Sequence, residues 1–562
     1  MAAALVEPPL TSPPRGSALL PIVVVMAAAF VSLIPFFFLG NASGHDFDFH
    51  VTSWMDAAGQ WREGVVYPRW ATWPNYGFGE PRFIFYPPAS WILGATLGSV
   101  LPWRAVPGAF IWLALTLAGA SMFRLAREWL PAGDATSAAV FFAANPYHLV
   151  LVYFRSDYAE LLASGLFPLV VLCALRLGRD PATSPKGSEV AALALAFAAI
   201  WFTNAPAGVV ATYSLAVLLV ALAVMRRSAA PLLAGGTAMA LGCLLAGFYI
   251  LPAALEQDWV NIAEVLSSGL RPEQNFLFTS INDPEHNLFN LLISTIAAAE
   301  IVITGVAAVA SGQPANHPRA VRELRGSLLV LAAAAVVLML PVTSLAWRYL
   351  PKLRFVQFPW RWLLPLGVAL GMFVAAAIRQ TRAKWLWTLL LATTLLAIAA
   401  YLVHQAWWDT EGVPVLRAAI AQGKGFEGTD EYASRGSDHT DLPAGAPAVA
   451  VVPARDSSAA RVWIERWNAE LKVIAVEAQR PVTLALRLLN YPAWRVENNG
   501  KPAHVESETN TGQMLIPVPA GCSSVRVQFA RTADRTAGIL LSGAGATLLL
   551  GLALASRRAA SG

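Results

Sequence analysis

Twelve apolar stretches, most of them close to membrane-spanning length, punctuate this chain and constrain its fold more than any motif does. They fall near 19–39, 107–123, 135–153, 158–175, 190–204, 207–225, 231–252, 287–309, 326–346, 361–378, 385–403 and 537–556. A helix needs about 20 apolar residues to cross the hydrocarbon core, where every backbone polar group must be satisfied within the segment. Only 13% of the 562 residues are charged, against about 25% in a soluble domain. The reading is a polytopic α-helical membrane protein with about twelve transmembrane helices.

The formal charge of +5 would suggest a nucleic-acid partner in a soluble chain. Here the Lys and Arg residues stand in short clusters between apolar runs, where they orient helices, so nucleic acid is excluded as a partner. Of the three cysteines, Cys173 and Cys243 lie inside apolar runs and Cys522 in a distant polar region, which rules out a disulfide framework or a clustered metal site. The first run comes after Arg15 and exceeds the 7–15 residues of a signal-peptide core, so it reads as a retained anchor.

A thirteenth apolar stretch, 89–101, is too short to span and reads as a helix lying along the membrane surface. With that choice Arg15, Arg124, Arg127, Arg176, Arg179, Lys186, Arg226, Arg227, Arg319, Arg322, Arg325, Arg379, Arg382, Lys384, Arg557 and Arg558 all fall on one face, which is then cytoplasmic. Counting 89–101 as a span would move Arg124, Arg127 and the basic clusters after them to the wrong side. The loop 41–106, the turn at 155–160, the loop 256–285 and the segment 404–535 then face outward. Both termini are expected to be cytoplasmic.

Chemistry concentrates in 45–88. Asp46 and Asp48 stand where the first span leaves the hydrocarbon, and acidic groups at that depth are kept for function. Around them Trp54, Trp61, Trp70, Trp73, Tyr67, Tyr76 and Tyr86 suit either the headgroup layer or stacking on sugar faces. The neighbouring turn adds Arg155, Asp157 and Glu160, as a second set of carboxylates facing a substrate or as a helix cap paired with Arg155. Contacts to substrate are expected from His45, His50, Arg69, Tyr86, Arg155, Asp157, Arg354 and Arg361. Glu300, in the middle of a span, is either a hydrogen-bonding group of the bundle interior or part of the site.

The outward loop 347–361 breaks the charge rule by carrying Arg348, Lys352, Arg354 and Arg361. An Arg fork matches phosphate oxygens, so this loop holds a lipid phosphate, or else it meets anionic headgroups or the acids of another loop. Within 404–535, residues 404–460 read as loop with a short helix at 413–422. From about 461 the alternation of apolar and polar residues predicts a β-sandwich, with the Asn498-Asn499-Gly500 run as a hairpin turn. The chain thus divides into a transmembrane domain 1–403, an outer domain 404–535 and a closing helix with its tail, 536–562.

The succession HDFDFH, YPRW, NYGFGEP, FYPP, RSDYAE and RFVQFPWR, with the tail NYPAWRVENNGKPAHV and LIPVPAGCSSVRVQFAR, resembles the bacterial YfhO-like and 6-pyruvoyl-tetrahydropterin synthase-related membrane proteins, which belong with the GT-C glycosyltransferases. The resemblance covers nearly the whole chain and implies a GT-C-like fold, surface helices beside the first loop, and a sugar donor carried on a polyprenyl phosphate. It implies transfer to an extracytoplasmic acceptor, whether glycan, lipid or protein. By this resemblance Asp46 is the general base, Glu160 and Arg155 match the second outer turn, and Arg361 matches the arginine of the QFPWR motif as a ligand of the donor phosphate, with Asp48 and Glu160 as further catalytic carboxylates. If the reaction uses a divalent ion such as Mg or Mn, Asp46, Asp48 and Asp157 supply hard oxygen ligands; a reaction without metal stays open.

Such chemistry needs a base for the acceptor proton and a cation for the departing phosphate, and the two outer loops supply both. A transporter or flippase of lipid-linked substrates is the first alternative, although the sequence shows no repeat of Gly- or Pro-broken helices in matching halves. A carbohydrate-binding scaffold without chemistry is the second.

Overall fold

The computed structural model describes residues 19–179, 185–312, 318–409, 412–438, 441–452 and 459–561. Among the described residues nine helices are long and apolar enough to cross a membrane: Leu19–Leu39, Trp103–Ala126, Ala132–Arg155, Tyr158–Arg176, Ala205–Arg226, Pro284–Ala310, Pro359–Gln380, Lys384–Gln405 and Ala533–Ser556. Two further pairs, Ala230–Leu245 with Gly247–Trp259 and Arg319–Leu338 with Pro341–Tyr349, bend by 74° and 85° and raise the count to 11 if each is one span. This is a multi-span membrane protein, one span short of the expected twelve. The missing one is the stretch 190–204, which forms the helix Gly187–Thr203 of only 17 residues. Arg15 and the side chains of Arg557 and Arg558 lie outside the described residues.

The stretches 231–252 and 326–346, expected as straight spans, break for local reasons. Pro341 forces Leu340 out of the helical region, to φ −97° and ψ 146°. At the other break the Ser542 hydroxyl of a neighbouring helix accepts from the Phe248 amide at 2.9 Å and donates to the Leu245 carbonyl at 2.9 Å. A side chain from the adjacent span thereby satisfies backbone groups that the bend releases, as an apolar surrounding demands.

The stretch 45–88, read as a loop, contains the 16-residue helix Phe47–Arg62. Phe47, Val51, Trp54, Met55 and Ala58 recur at helical spacing and are all buried. This helix packs on Pro88–Val100, the short apolar helix expected near 89–101, and Gly94 leaves room there for the Trp54 indole, which a Cβ would strike. The same helix stacks Trp54 on Phe110, with centroids 5.0 Å apart.

Beyond the spans lie two antiparallel sheets. One orders Val449–Val452, Val482–Leu489, Gln513–Val518 and Glu506–Ser507; the other orders Ala460–Trp467, Leu471–Ala478, Gly521–Phe529, Trp494–Asn498 and Lys501–Pro502. The first strand thus precedes 461, where alternation alone places the start. Asn499 and Gly500, at φ 50° and 75°, make the two-residue turn between Asn498 and Lys501. The inner faces meet through Ile474, Val476, Leu484, Leu486, Met514, Ile516, Val525 and Val527, each at most 2% exposed.

Trp70, read as a headgroup or sugar-facing ring, closes one end of this core against Trp494, Tyr491 and Phe529, with centroids 5.4–5.8 Å away. The Phe78 carbonyl accepts from the Leu489 amide at 3.0 Å, so the stretch after the first helix is knitted into the sheets. A two-stranded pairing of Asn41–Ala42 with Trp408–Asp409 joins the exit of the first span to the start of the polar segment. The helix Gly412–Ala421, near the expected 413–422, comes directly after it.

Candidate functional site

Three chain turns converge where the spans meet the polar layer. Gly44 packs so closely on the 154–156 backbone that a Cβ would run into the Phe154 carbonyl. Ser156, in the left-handed region at φ 50°, donates from its hydroxyl to the Ala42 carbonyl at 2.9 Å and accepts from the Gly44 amide at 3.0 Å. The Asp46 amide donates to the Arg155 carbonyl at 2.9 Å. These contacts, two through the Ser156 hydroxyl and one between main chains, bring the first acidic motif and the RSDYAE turn together.

The side chains of the two motifs then pair. The Arg155 guanidinium donates to Asp46 Oδ2 at 2.7 Å and lies 3.9 Å from Asp157, with its carbon 4.9 Å from the Phe358 ring centroid. Arg361 donates to Glu160 at 2.7 Å and to Asp157 at 3.3 Å. It also donates to the Val356 carbonyl at 2.8 Å. The Tyr147 hydroxyl donates to the other Glu160 oxygen. Asp157 caps the helix Tyr158–Arg176 by accepting from the Glu160 amide at 2.9 Å, so the capping reading of this turn is realised alongside the ion pairs. Burial pushes the Asp157 carboxyl up, but His50 at 3.8 Å and the Arg361 and Arg155 cations outweigh it and hold the group well below the usual range.

These groups border a cavity of about 1290 Å³. Its polar wall includes His45, Asp46, Asp48, Tyr86, Arg155 and Asp157; its apolar wall includes Trp201, Val209, Ile250, Leu288 and Leu292 from the helical bundle. The Asp46 side chain keeps 33% exposure into it. Asp48 is exposed, and its carboxyl is raised by partial enclosure and by the Asp409 carboxylate. His45 is lowered by burial and by Arg155, with Asp46 opposing.

Several expected site residues lie elsewhere. Glu160 is 1% exposed, bound by Tyr147 and Arg361, and does not border the cavity. His50 sits behind Asp157, also 1% exposed. Arg354 pairs with Glu273 at 3.2 Å, away from the cavity lining. Arg69 lines a different cavity. Arg361 does border the site, yet its fork is occupied by the two carboxylates, which is the pairing that the loop's charge left open. Glu300 is buried with both carboxylate oxygens lacking a hydrogen-bond partner, and it too is absent from the lining.

Asp46, Asp48 and Asp157 do not suit a divalent ion as a set. Among the described residues no three acidic, His or Cys side chains converge as a metal-binding group, and two of the three carboxylates are already met by arginines.

Other cavity residues come from the basic loop and from a stretch that the sequence leaves unmarked. Lys352 lines it from the basic loop, and Thr429 and Glu431 from the FEGTDEY stretch at 426–432. That stretch is anchored by Glu80, which accepts from the Thr429 amide at 3.0 Å and from Arg82 at 2.6 Å. Arg82 in turn donates to Ser53 at 2.9 Å and to Thr429 at 3.2 Å. The Glu in NYGFGEP is therefore a staple between the first helix, its adjoining loop and the distant polar segment. Acids on either side of Gly-Thr in 426–432 were the available signal, hidden in a stretch without periodicity.

Burial, with help from Glu80 and Asp430 and against Arg82, pushes the Glu431 carboxyl up to about 7. Between the usual carboxylate range and about pH 7 the unfolded chain ionises here while the folded chain keeps its proton, so this group's stabilising contribution is lost as pH rises through that window. Glu431→Gln is expected to melt higher than wild type at pH 8 and no higher at pH 4. Thermal unfolding of the detergent-solubilised chain across this range checks it; parallel curves at all pH values would contradict it.

Residues 83–411, more than half the chain, match the family model described as 6-pyruvoyl-tetrahydropterin synthase related domain; membrane protein. No curated protein matches the chain. Among solved structures, ArnT from Cupriavidus metallidurans, bound to undecaprenyl phosphate, is similar at 16% identity over 73% of each chain, with a TM-score of 0.45. The arabinofuranosyltransferase AftD from Mycobacteria is similar at 17% identity over 74% of this chain and 29% of that one, with a TM-score of 0.42. The Archaeoglobus fulgidus oligosaccharyltransferase in its apo form is similar at 14% identity over 68% of this chain and 55% of that one, with a TM-score of 0.41. This chain therefore spans less than two thirds of the length of the latter two.

Proposed function

Given that the chain belongs to the 6-pyruvoyl-tetrahydropterin synthase related family of membrane proteins, we propose that it is a membrane glycosyltransferase that moves a sugar from a polyprenyl-phosphate donor to an acceptor hydroxyl. The observation that carries this reading is the two-faced cavity, with carboxylates and cations on one wall and membrane-helix side chains on the other. A donor of this class has the same division, an apolar chain joined to a charged phosphate and a sugar. The resemblance of HDFDFH and RSDYAE to the GT-C motifs points the same way.

In this reading Asp46 accepts the proton of the acceptor hydroxyl as its oxygen attacks the anomeric carbon, and the bond from that carbon to the phosphate oxygen breaks. Arg155 holds one Asp46 oxygen at 2.7 Å and leaves the carboxylate one third exposed. Lys352, which borders the cavity without an acidic partner among the described residues, is the cation best placed to meet the leaving phosphate. Arg361 supports this arrangement from behind. The acceptor is a glycan, lipid or protein on the extracytoplasmic side of a bacterial cytoplasmic membrane.

The decisive experiment compares lipid-linked and surface glycans of a deletion strain with those of the strain complemented by the wild-type chain. Restoration of a sugar-bearing product, with accumulation of its lipid-linked precursor in the deletion, is the expected result. An unchanged glycan profile would count against transfer.

One structural feature favours a transporter: the two sharply bent helix pairs. They do not act on the cavity alike, however. Ile250, Ala253 and Gln257 of one pair line it, whereas Pro341–Tyr349 of the other is absent from the lining.

The orientation has its own test. Single cysteines at 45 and 460 are expected to react with a membrane-impermeant reagent added from outside, and a cysteine at 227 only after permeabilisation. Labelling of 45 and 460 from opposite sides would overturn the topology.

A further inference from the structure

A second cavity, of about 1190 Å³, lies between the five-stranded sheet and the stretch 63–69, and it shares no lining residue with the first. Its sheet wall has an unusual charge pattern. Arg466 and Arg526 both pair in register with Val473 on the strand between them, which puts two like charges about 10 Å apart, two strand spacings. Gln528, two residues beyond Arg526 on the same strand, pairs with Arg495. Arg466, Arg495 and Arg526 are all exposed and all line the cavity. Among the described residues none of the three forms an ion pair with a carboxylate, although Glu497 stands opposite Arg526 in register, Arg526 donates to Gln528 at 3.2 Å, and Glu63 and Glu470 also border the space. Like charges gathered on one sheet face oppose folding unless something neutralises them.

The facing wall adds donors that the fold leaves unused. The Arg69 Nη1 and the Tyr67 Oη are buried atoms without a hydrogen-bond partner, and the Arg69 guanidinium carbon lies 4.3 Å from the Tyr67 ring centroid. Both atoms are enclosed behind the cavity surface, so it is the rest of the Arg69 guanidinium, which makes no ion pair among the described residues, that is left to face the cavity. Arg535 lies in the same lining but is engaged, donating to both Glu256 oxygens at 2.7 Å. The floor is apolar: Phe248 stands at the bend of one candidate span pair and Ile539 near the start of the last span.

We propose that this cavity binds a phosphate-bearing anion, the head group of an anionic phospholipid in the adjacent leaflet, held by Arg466, Arg495 and Arg526 from the sheet and by Arg69 from the opposite wall. Planar guanidinium forks suit phosphate oxygens, and the apolar floor gives the acyl chains a route to the bilayer. The site is independent of the sugar-transfer reading, since the two cavities have separate linings.

The test uses the full chain in detergent. Native mass spectrometry would count bound phosphatidylglycerol and phosphatidylcholine for wild type, for Arg495→Gln/Arg526→Gln, for Arg69→Gln, and for Arg461→Gln, which removes a charge from the same sheet outside the cavity. Wild type is expected to retain phosphatidylglycerol over phosphatidylcholine, and the double variant to lose this retention by about tenfold or more, as for a charge-assisted hydrogen bond. Arg461→Gln should behave as wild type. The double variant alters only exposed side chains, so it reports even if Arg69→Gln fails to fold. Calorimetry with inorganic phosphate separates the sources: binding of phosphate that needs the same arginines, without phosphatidylglycerol retention, supports the anion site with a soluble occupant. Equal phosphatidylglycerol and phosphate binding by wild type and the double variant overturns the proposal.

Discussion

Asp46→Asn is expected to reduce sugar transfer by about 10²–10⁴-fold, the usual loss when a general base is removed. The substitution is nearly isosteric, and the Asn carbonyl oxygen still accepts from Arg155, which lies 2.7 Å from the carboxylate. The amide of residue 46 still donates to the Arg155 carbonyl, so the turn keeps its shape. What is lost is the ability to take a proton. Asp48→Asn is the internal comparison, with a milder loss expected, because Asp48 faces Asp409 rather than an arginine. Transfer assays with the deletion strain's own lipid-linked precursor, run beside thermal unfolding, separate chemistry from folding. An Asp46→Asn protein that transfers sugar at nearly the wild-type rate would move the base elsewhere, with Asp48, which borders the same cavity, ahead of the enclosed Glu160.

Arg361→Ala is expected to destabilise the protein by about 3–5 kcal/mol, the range for breaking a buried ion pair from one side. The guanidinium is 4% exposed and neutralises both Glu160 and Asp157, at 2.7 and 3.3 Å. Its removal also strands the Val356 carbonyl, which now accepts at 2.8 Å. Arg361→Lys should recover only part of the loss, since a single ammonium cannot serve two carboxylates and a carbonyl in the same geometry. Pairing Arg361→Met with Glu160→Gln should recover more than Arg361→Met alone, because it removes a buried charge along with its partner. Thermal unfolding in detergent reads these effects directly. An Arg361→Ala protein with unchanged melting but abolished donor binding would return Arg361 to the role of phosphate ligand.

The spans were legible because the bilayer sets a length that composition reveals directly. The bends were partly legible in Pro341 and Gly247, but the Ser542 hydroxyl that bridges one of them comes from a helix almost 300 residues later, beyond any local pattern. In the polar layer the aromatic residues misled: an indole suits a sugar face, a headgroup layer and a hydrophobic core equally, and only tertiary packing sends Trp54 to Phe110 and Trp70 into the sandwich. The periodicity of Phe47, Val51, Trp54, Met55 and Ala58 was present, yet the acids and turn residues around it read as loop. At the site, Asp46, Asp48, Arg155 and Asp157 do come together, because the two turns holding them are locked by the Ser156 hydroxyl and a main-chain contact. Arg69 and Arg354 could not be told from residues of the Asp46 cavity, since charge and position on one face do not reveal which partner a side chain finds.

The Glu80 staple also sets a schedule for synthesis. Its Thr429 partner is made 349 residues later, which at 5–20 residues per second is a wait of about 20–70 s on the ribosome. During that interval the Phe47–Arg62 helix and the Glu80 and Arg82 side chains stand at the membrane surface with their covering segment unmade. Contacts of such sequence separation form late, so the cavity at Asp46 closes only after most of the spans have been inserted. A chain arrested before residue 426 would carry the acidic motif and the spans up to Gln405, yet hold an open cleft where the finished protein has a walled one.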